Sequence, residues 1–231
     1  MIVRAAFAGL LIVFAAPFAY AEGVTETRGW SNCQGGDGVW AEMRISGCTD
    51  VIKSGKAEGA DLARAHYNRG NALLQKAEYL KAIDDYSAAL KLQPDDPKAL
   101  HERCWARAVM AVELEDALAD CNESLRLQPN DAETLGGRGF VYLRLKLYRT
   151  AIIDYDAALK LEPQNALILF SRGTAKSRAG DDEGGKADRA AARALDAKIE
   201  EVFQRFEAAP GGGGMWAAMV DYWRAAMQWL Y

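Results

Sequence analysis

The chain has 231 residues, half of them hydrophobic, with 28 basic against 32 acidic residues and a formal net charge of −4. A hydrophobic fraction this high excludes an intrinsically disordered chain, and the length allows one or two domains. The absence of a basic excess argues against nucleic-acid binding.

The first predicted element is a targeting segment. Arg4 gives it a positive start, an apolar stretch over residues 5–18 follows, and Ala19-Tyr20-Ala21 is a small-x-small cleavage site. This arrangement predicts a secretory signal peptide over residues 1–21. An uncleaved inner-membrane anchor is the alternative, although the apolar stretch is shorter than the roughly 20 residues that a bilayer span needs.

Export changes how the four cysteines are interpreted. Cys33, Cys48, Cys104 and Cys121 form an even set, which suggests two disulfide bonds in an oxidising compartment. Four cysteines allow three pairings, of which nearness in sequence favours Cys33–Cys48 and Cys104–Cys121. A zinc site is one rival interpretation, but no C-x-x-C pair occurs and the two histidines lack ligand spacing. Buried free thiols are the other alternative for Cys104 and Cys121.

Residues 22–60 are predicted to cover the start of a helical region. Residues 22–38 are rich in glycine and polar side chains and predict a loop. The segment that follows places Ile45, Cys48 and Ile52 at three- and four-residue steps, as one helix face requires. We interpret this segment as the second helix of a half-repeat that caps the array behind it.

A pattern of small and aromatic residues then recurs about every 34 residues between residues 61 and 196. This period is typical of stacked helical hairpins, with small residues where two helices cross and proline after the second helix. Four units are predicted, over about residues 63–96, 97–130, 131–164 and 165–196. The pattern is clearest in units one and three, at Gly70, Tyr79, Ala82, Tyr86, Ala89 and Pro94, and at Gly139, Tyr148, Ala151, Tyr155, Ala158 and Pro163.

The other two units depart from this pattern. Unit two has Cys104 and Cys121 in place of the glycine and the second tyrosine, and its turn carries one extra residue. Asp96 and Pro97 predict the start of its first helix, as N-cap and first helical residue. Unit four has lost the tyrosine and the proline, as expected of a terminal repeat whose outer face meets water.

One arginine precedes the glycine or cysteine of every unit. A functional anion-binding stripe is one interpretation. The favoured interpretation is that each arginine packs its stem against the neighbouring hairpin and pairs with a helix acid. The four residues are Arg69, Arg103, Arg138 and Arg172.

No catalytic or cofactor signature is present, since G-x-S-x-G, G-x-x-x-x-G-K-[ST] and H-E-x-x-H are all absent. His66 and His101 are single histidines on first helices and are expected to be structural. Asp85 and Asp154 lie on second helices and are expected to be solvated, as are their neighbours Asp84 and Asp156. The sequence therefore predicts no cofactor, no metal and no enzymatic activity.

Residues 197–231 leave the repeat pattern. A helix is predicted from residue 197, with Ile199, Val202, Phe203 and Phe206 on one face, before the glycine linker of residues 211–214. Residues 215–231 then predict an amphipathic aromatic helix, too short and polar to span a bilayer. It could cap the last repeat, dock elsewhere, form a homodimer or lie on a membrane, although interfacial helices usually carry more lysine and arginine.

Together these residues resemble the tetratricopeptide repeat family, over more than half of the chain. The resemblance implies an all-α fold: a right-handed α-solenoid of stacked helix-turn-helix hairpins with helical caps at both ends. It also implies that the first helices line a concave groove that holds a peptide or a helix. The cap around Cys48, followed by Asn68-Arg69-Gly70-Asn71-Ala72, resembles that of exported Gram-negative proteins of the family, which implies a periplasmic location.

The resemblance also assigns the groove-facing positions. Some cytosolic relatives clamp a terminal carboxylate with lysine, arginine and asparagine; this chain keeps Asn71 but has Glu102 and Glu133 at other clamp positions, so no such clamp is expected. Trp105 and Phe140 are the expected anchors, because aromatic side chains dominate many interfaces; packing of Trp105 between repeats is the alternative. The expected groove set is Tyr67, Asn68, Asn71, Leu74, His101, Trp105, Phe140, Leu143, Phe170 and Thr174.

The predicted function is a non-catalytic scaffold that binds a protein segment of unknown identity in its groove. The alternative is a membrane-surface adaptor or a homodimerising module that acts through residues 215–231. Neither nucleic-acid binding nor a transmembrane span in the mature chain is expected.

Overall fold

The computed structural model describes residues 28–36 and 38–207. The predicted signal peptide, the glycine linker and the aromatic segment 215–231 lie outside these residues. Every regular element within the described part is an α-helix, which confirms the predicted all-α class. The helices are α1 (28–34), α2 (Ala41–Ser54), α3 (Gly59–Gln75), α4 (Tyr79–Leu92), α5 (Pro97–Met110), α6 (Leu114–Leu127), α7 (Ala132–Arg144), α8 (Tyr148–Leu161), α9 (Ala166–Arg178), α10 (Asp182–Leu195) and α11 (Ile199–Glu207).

Eight of these helices form four antiparallel hairpins, α3–α4, α5–α6, α7–α8 and α9–α10, and each second helix packs on the next first helix. The stacking of sequence-adjacent hairpins confirms the predicted solenoid. The hairpins stack because a single hairpin is too thin to bury its own apolar face, which the neighbouring hairpins cover.

The crossing of the two helices in units one and three depends on glycine. A Cβ atom added to Gly70 would lie 2.7 Å from Cε1 of Tyr86, and one added to Gly139 would lie equally close to Cε1 of Tyr155. Both tyrosine rings are fully buried against the glycine backbone. The missing side chain therefore makes room for the ring that fills the crossing.

A disulfide bond occupies the same place in unit two. Cys104 on α5 and Cys121 on α6 are bonded, with their Cα atoms 5.5 Å apart. The second bond, Cys33–Cys48, joins α1 to α2. The pairing favoured by nearness in sequence is therefore the one in the structure, and no cysteine is free.

The N-terminal region differs from the prediction. Residues 28–34, predicted as part of a loop, form helix α1, which packs on α2 as a shortened first helix. Gly47 permits the contact, because a Cβ there would meet the carbonyl oxygen of Gly29 at 2.7 Å. The close approach thus depends on a glycine of α2, whereas Gly35 and Gly36, which contributed to the loop prediction, lie after the end of α1. The half-repeat is thus a reduced hairpin.

The four arginines confirm the favoured interpretation of a structural ladder. Each donates two hydrogen bonds of 2.6–2.8 Å to an aspartate on the second helix of its own hairpin. Its Nη1 donates a third bond to a side chain on the preceding second helix: Thr49, Ser87, Asn122 or Asp156. Each guanidinium therefore joins three helices. The aspartate partners, in order, are Asp85, Asp120, Asp154 and Asp188.

This ladder corrects the expectation that Asp85 and Asp154 are solvated, since their exposed fractions are 4% and 5%. Burial alone would raise the pKa of Asp85, but hydrogen bonds from Arg69 and His66 hold that pKa below its ordinary value. The expectation fails because a helix acid facing an arginine on the partner helix is desolvated by the hairpin itself. Asp84 remains exposed, and Asp156 is half-buried.

The helix ends follow the predicted chemistry. Asp96 accepts hydrogen bonds from the amides of Lys98 and Ala99, with Pro97 in the first turn, and so caps α5 as predicted. Left-handed residues, Ala77 in unit one and Lys146 in unit three, make the turn inside each hairpin. Unit two uses two such residues, as its extra turn residue requires.

The array ends with α11, whose Ile199 and Phe203 are buried. Within residues 28–36 and 38–207, no helix combines the length and apolar character needed to cross a membrane.

Candidate protein-binding groove

The first helices α3, α5, α7 and α9 carry the residues that the family resemblance assigns to a groove. Half of this set belongs to the buried core. Trp105 and Phe140 are 9% and 6% exposed, and their ring centroids lie 5.4 Å apart. The structure therefore favours the alternative in which Trp105 packs between repeats. Leu143, Phe170 and Thr174 are buried as well.

The other half of the set is only partly covered. Tyr67, Asn68, Asn71, Leu74 and His101 are half-buried. Asn71 accepts a hydrogen bond of 2.8 Å from the Tyr86 hydroxyl, so that its carboxamide is fixed in orientation. These residues lie at the N-terminal end of the array, where the structure leaves them open to contact.

Carboxylates concentrate at the start of the first helices of units two and three. Burial raises the pKa of Glu102 to about 7, and the nearby Glu133 and Asp131 carboxylates add to the shift. Burial, followed by Asp131 and Glu162, raises the pKa of Glu133 as well. No ion pair to either glutamate is found among the described residues. This edge of the groove therefore favours a bound positive charge.

His101 and Tyr67 belong to the same surroundings. Burial lowers the pKa of His101, with partial compensation by Asp131, and a Thr134 hydroxyl lies 3.1 Å from its Nδ1. Burial and then the Glu102 carboxylate raise the pKa of Tyr67 to about 12. A neutral histidine at this position supports the structural role expected from the sequence.

Arginines lie at the opposite ends of the first helices. Arg144, in the last turn of α7, donates hydrogen bonds to the Ala108 and Val109 carbonyls of α5 and lies 5.4 Å from the Phe140 ring centroid. Arg178 lies 6.0 Å from the centroid of Tyr148. Helices α5 and α7 thus carry acidic groups near their N termini and an arginine in their last turn.

The sequence analysis named Glu102 and Glu133 only as departures from a carboxylate clamp. It missed that these two residues, together with Asp131, form an acidic edge of the groove. A signal was present, because Asp96 and Asp131 open successive first helices at a spacing of one unit. The effect of Asp131 on the pKa values of Glu102 and Glu133 depends on how closely the hairpins stack, which the spacing alone does not give.

A separate cleft of about 540 Å³ lies between α2, α3 and α4. Its charged groups are largely paired: Arg69 with Asp85, Lys76 with Glu42, and Lys81 with Glu78. It therefore offers little free charge to a ligand. The described residues contain no group of metal-binding side chains.

Comparisons with known proteins agree with this architecture. The tetratricopeptide repeat profile matches residues 63–96 and 132–165, which are units one and three. The chain thus contains tetratricopeptide repeats at residues 63–96 and 132–165. Arrays of this family are protein–protein interaction scaffolds, and this chain has that architecture.

Solved structures of MamA proteins show the same fold. One crystal structure of MamA is 16% identical, with a TM-score of 0.61 over 79% of this chain and 96% of that one. A MamA fragment from Desulfovibrio magneticus RS-1 is 17% identical, with a TM-score of 0.62 over 78% of this chain and 95% of that one. At these identities the likeness extends to the fold alone.

A curated relative is DnaJ homolog subfamily C member 7 homolog from Schizosaccharomyces pombe. It is 28% identical over 102 residues, which are 43% of this chain and 21% of that protein. The matched part thus spans about a fifth of the relative's length.

Proposed function

We propose that this tetratricopeptide repeat protein is a non-catalytic scaffold that binds an extended or helical protein segment against its first helices. The observation that carries the proposal is the partly covered surface of α3, where Tyr67, Asn71 and Leu74 are half-buried rather than enclosed in the stack. Contacts with the core, and the hydrogen bond between Asn71 and Tyr86, hold these side chains in place while part of their surface stays exposed. They are therefore available for recognition.

The electrostatics indicate what kind of segment would bind. Glu102 is half-buried and its pKa is raised to about 7, so ionising it is unfavourable without a nearby cation. A lysine or arginine of a bound segment would supply that cation. The segment is therefore expected to carry positive charge where it meets the start of α5 and α7.

The proposed location is the periplasm. Two disulfide bonds in a small helical protein support an oxidising compartment. The N-terminal segment, with its small-x-small site, supports export. Retention of that segment as an inner-membrane anchor is the alternative.

Crosslinking in the native cell tests whether another protein binds in the groove. A photo-reactive amino acid is placed at Asn71 or Glu133 of the full chain, and at Leu80 or Ile153 as matched controls on second helices, where these side chains are 59% and 66% exposed. Adducts with another protein are expected from the first two positions only. Glu102→Lys should reduce them several-fold, whereas equal adducts from the control positions would reject the groove.

A further inference from the structure

The last helix breaks the packing rule of the array. Of the two helices of the preceding unit, each first helix of units two to four packs more on the second, whereas α11 packs more on the first, α9, than on the second, α10. Its Phe203 ring lies 4.8 Å from that of Phe170, at a groove-facing position of α9. The helix thus turns toward the side of the array that the first helices form.

The contact at Phe170 is the end of a row. Trp105 and Phe140 stand at equivalent positions of α5 and α7, and Phe170 lies on α9 one turn before the equivalent residue, Thr174. The rings of Phe140 and Trp105 contact each other, and Phe203 covers the C-terminal end of the row. Part of the groove is therefore covered by this chain's own C-terminal region.

The chain that follows α11 has the composition and length to continue this cover. Residues 208–214, with four glycines, can reach about 23 Å when extended. Residues 215–231 would form a helix of about 25 Å, close to the roughly 30 Å occupied by four helices at the usual spacing. Trp216, Met219, Trp223 and Met227 fall on one face of that helix.

We propose that residues 215–231 occupy the groove as an internal ligand, extending the cover that α11 begins at Phe170, and that an external segment binds by displacing them. The displacement step rests on the proposed function; the occupancy does not. Residues 215–231 contain one aspartate and one arginine, so they bring no net side-chain charge to the acidic edge. A basic external segment would bring a positive charge to this edge and would therefore compete with residues 215–231.

The tether sets the strength of the competition. A short flexible linker gives an effective concentration of order 1 mM. If the free segment binds with a dissociation constant of about 0.1 mM, the tethered segment weakens external binding about tenfold.

The first experiment locates the segment in the full-length protein. A photo-reactive amino acid replaces Trp223, and adducts are mapped after digestion. An intramolecular adduct with α5, α7 or α9 is expected. Adducts with second helices, with a second copy of the chain, or none at all would overturn the proposal.

The second experiment measures displacement, with a synthetic peptide of residues 215–231 as the probe. The full-length double variant Trp216→Ala/Trp223→Ala should bind the peptide about tenfold more tightly than the unmodified chain. A matched control, Asp221→Ala/Gln228→Ala on the opposite face, should bind it as weakly as the unmodified chain. Helical circular dichroism confirms that each variant is folded. Equal peptide binding by all three proteins would refute an internal ligand.

The two proposals fail separately. If residues 215–231 crosslink elsewhere, the groove remains open to a partner, and the crosslinks from Asn71 and Glu133 still decide the proposed function. If those crosslinks find no partner while Trp223 reaches the first helices, the groove binds only its own chain.

Discussion

Unit three and unit two of the array solve one packing problem in different ways. In unit three the Tyr155 ring packs on the bare backbone of Gly139, whereas in unit two Cys104 and Cys121 form a covalent bond at the corresponding positions. The neighbouring arginine and aspartate are kept in both. The comparison shows that the fold requires a tight crossing and that either contact can provide it.

The two solutions differ in what they depend on. A buried tyrosine ring stabilises through apolar area and close packing, in any redox environment. A disulfide bond that closes a loop of this size stabilises by about 3 kcal/mol in the chain-entropy account, but only where thiols are oxidised. The stability of unit two is thus linked to its compartment, and that of unit three is not.

The largest expected effect comes from the ladder that both units share. Arg138→Met leaves Asp154 buried without its guanidinium partner, and we expect a loss of about 3–5 kcal/mol. Arg103→Met should cost clearly less, because Arg107 also pairs with Asp120. Urea unfolding followed by circular dichroism measures both. Equal losses would mean that the second arginine does not compensate.

Removal of the bond in unit two comes next. Cys104→Ala/Cys121→Ala should lower stability by about 2–4 kcal/mol, since the unfolded chain regains its freedom and the crossing loses its filler. The swap Cys104→Gly/Cys121→Tyr should recover part of this loss by recreating the contact of unit three. Thermal unfolding with and without reductant provides the comparison. If the swap is no better than the alanine pair, the two contacts are not interchangeable.

The smallest expected loss of stability comes from a substitution of the glycine at the helix crossing. Gly139→Ala should destabilise by about 1–3 kcal/mol, because the new methyl group would overlap the Tyr155 ring. Gly137→Ala, two residues earlier on the same helix, is the control: its Cβ would lie 3.7 Å from the nearest atom, and alanine favours the helix by up to about 1 kcal/mol. Urea unfolding is expected to show a lower free energy of unfolding for Gly139→Ala and a higher one for Gly137→Ala. A loss of stability in both variants would mean that alanine disturbs the helix itself rather than its crossing with α8.

Much of the fold was readable because its determinants are local or periodic. Gly70, Tyr86 and Pro94 recur two units later as Gly139, Tyr155 and Pro163, and Asp96 caps its helix through its own neighbours. The prediction failed at residues 28–34, where glycine-rich composition suggested a loop. Composition reports the freedom of a backbone, but it does not show that α1 packs on Gly47 of α2 and is joined to that helix by the Cys33–Cys48 bond.

The groove was less predictable than the fold. The family resemblance placed Trp105, Phe140 and Phe170 at groove-facing positions, but their exposure depends on how the hairpins stack and on Phe203 beyond the repeats. The charge state of Glu102 likewise depends on burial and on carboxylates of the next hairpin. Neither the exposure of these rings nor the charge state of Glu102 can be inferred from a residue's position within one repeat unit.

The sequence by itself determined the number of hairpins, their crossings and the arginine at each, because these follow from side-chain size and helical period within one unit. Only the tertiary structure decided which rings are buried, which aspartates are desolvated and where α11 lies. Those properties arise between units, from contacts among residues distant in the chain, and an offset within a single repeat carries no information about them.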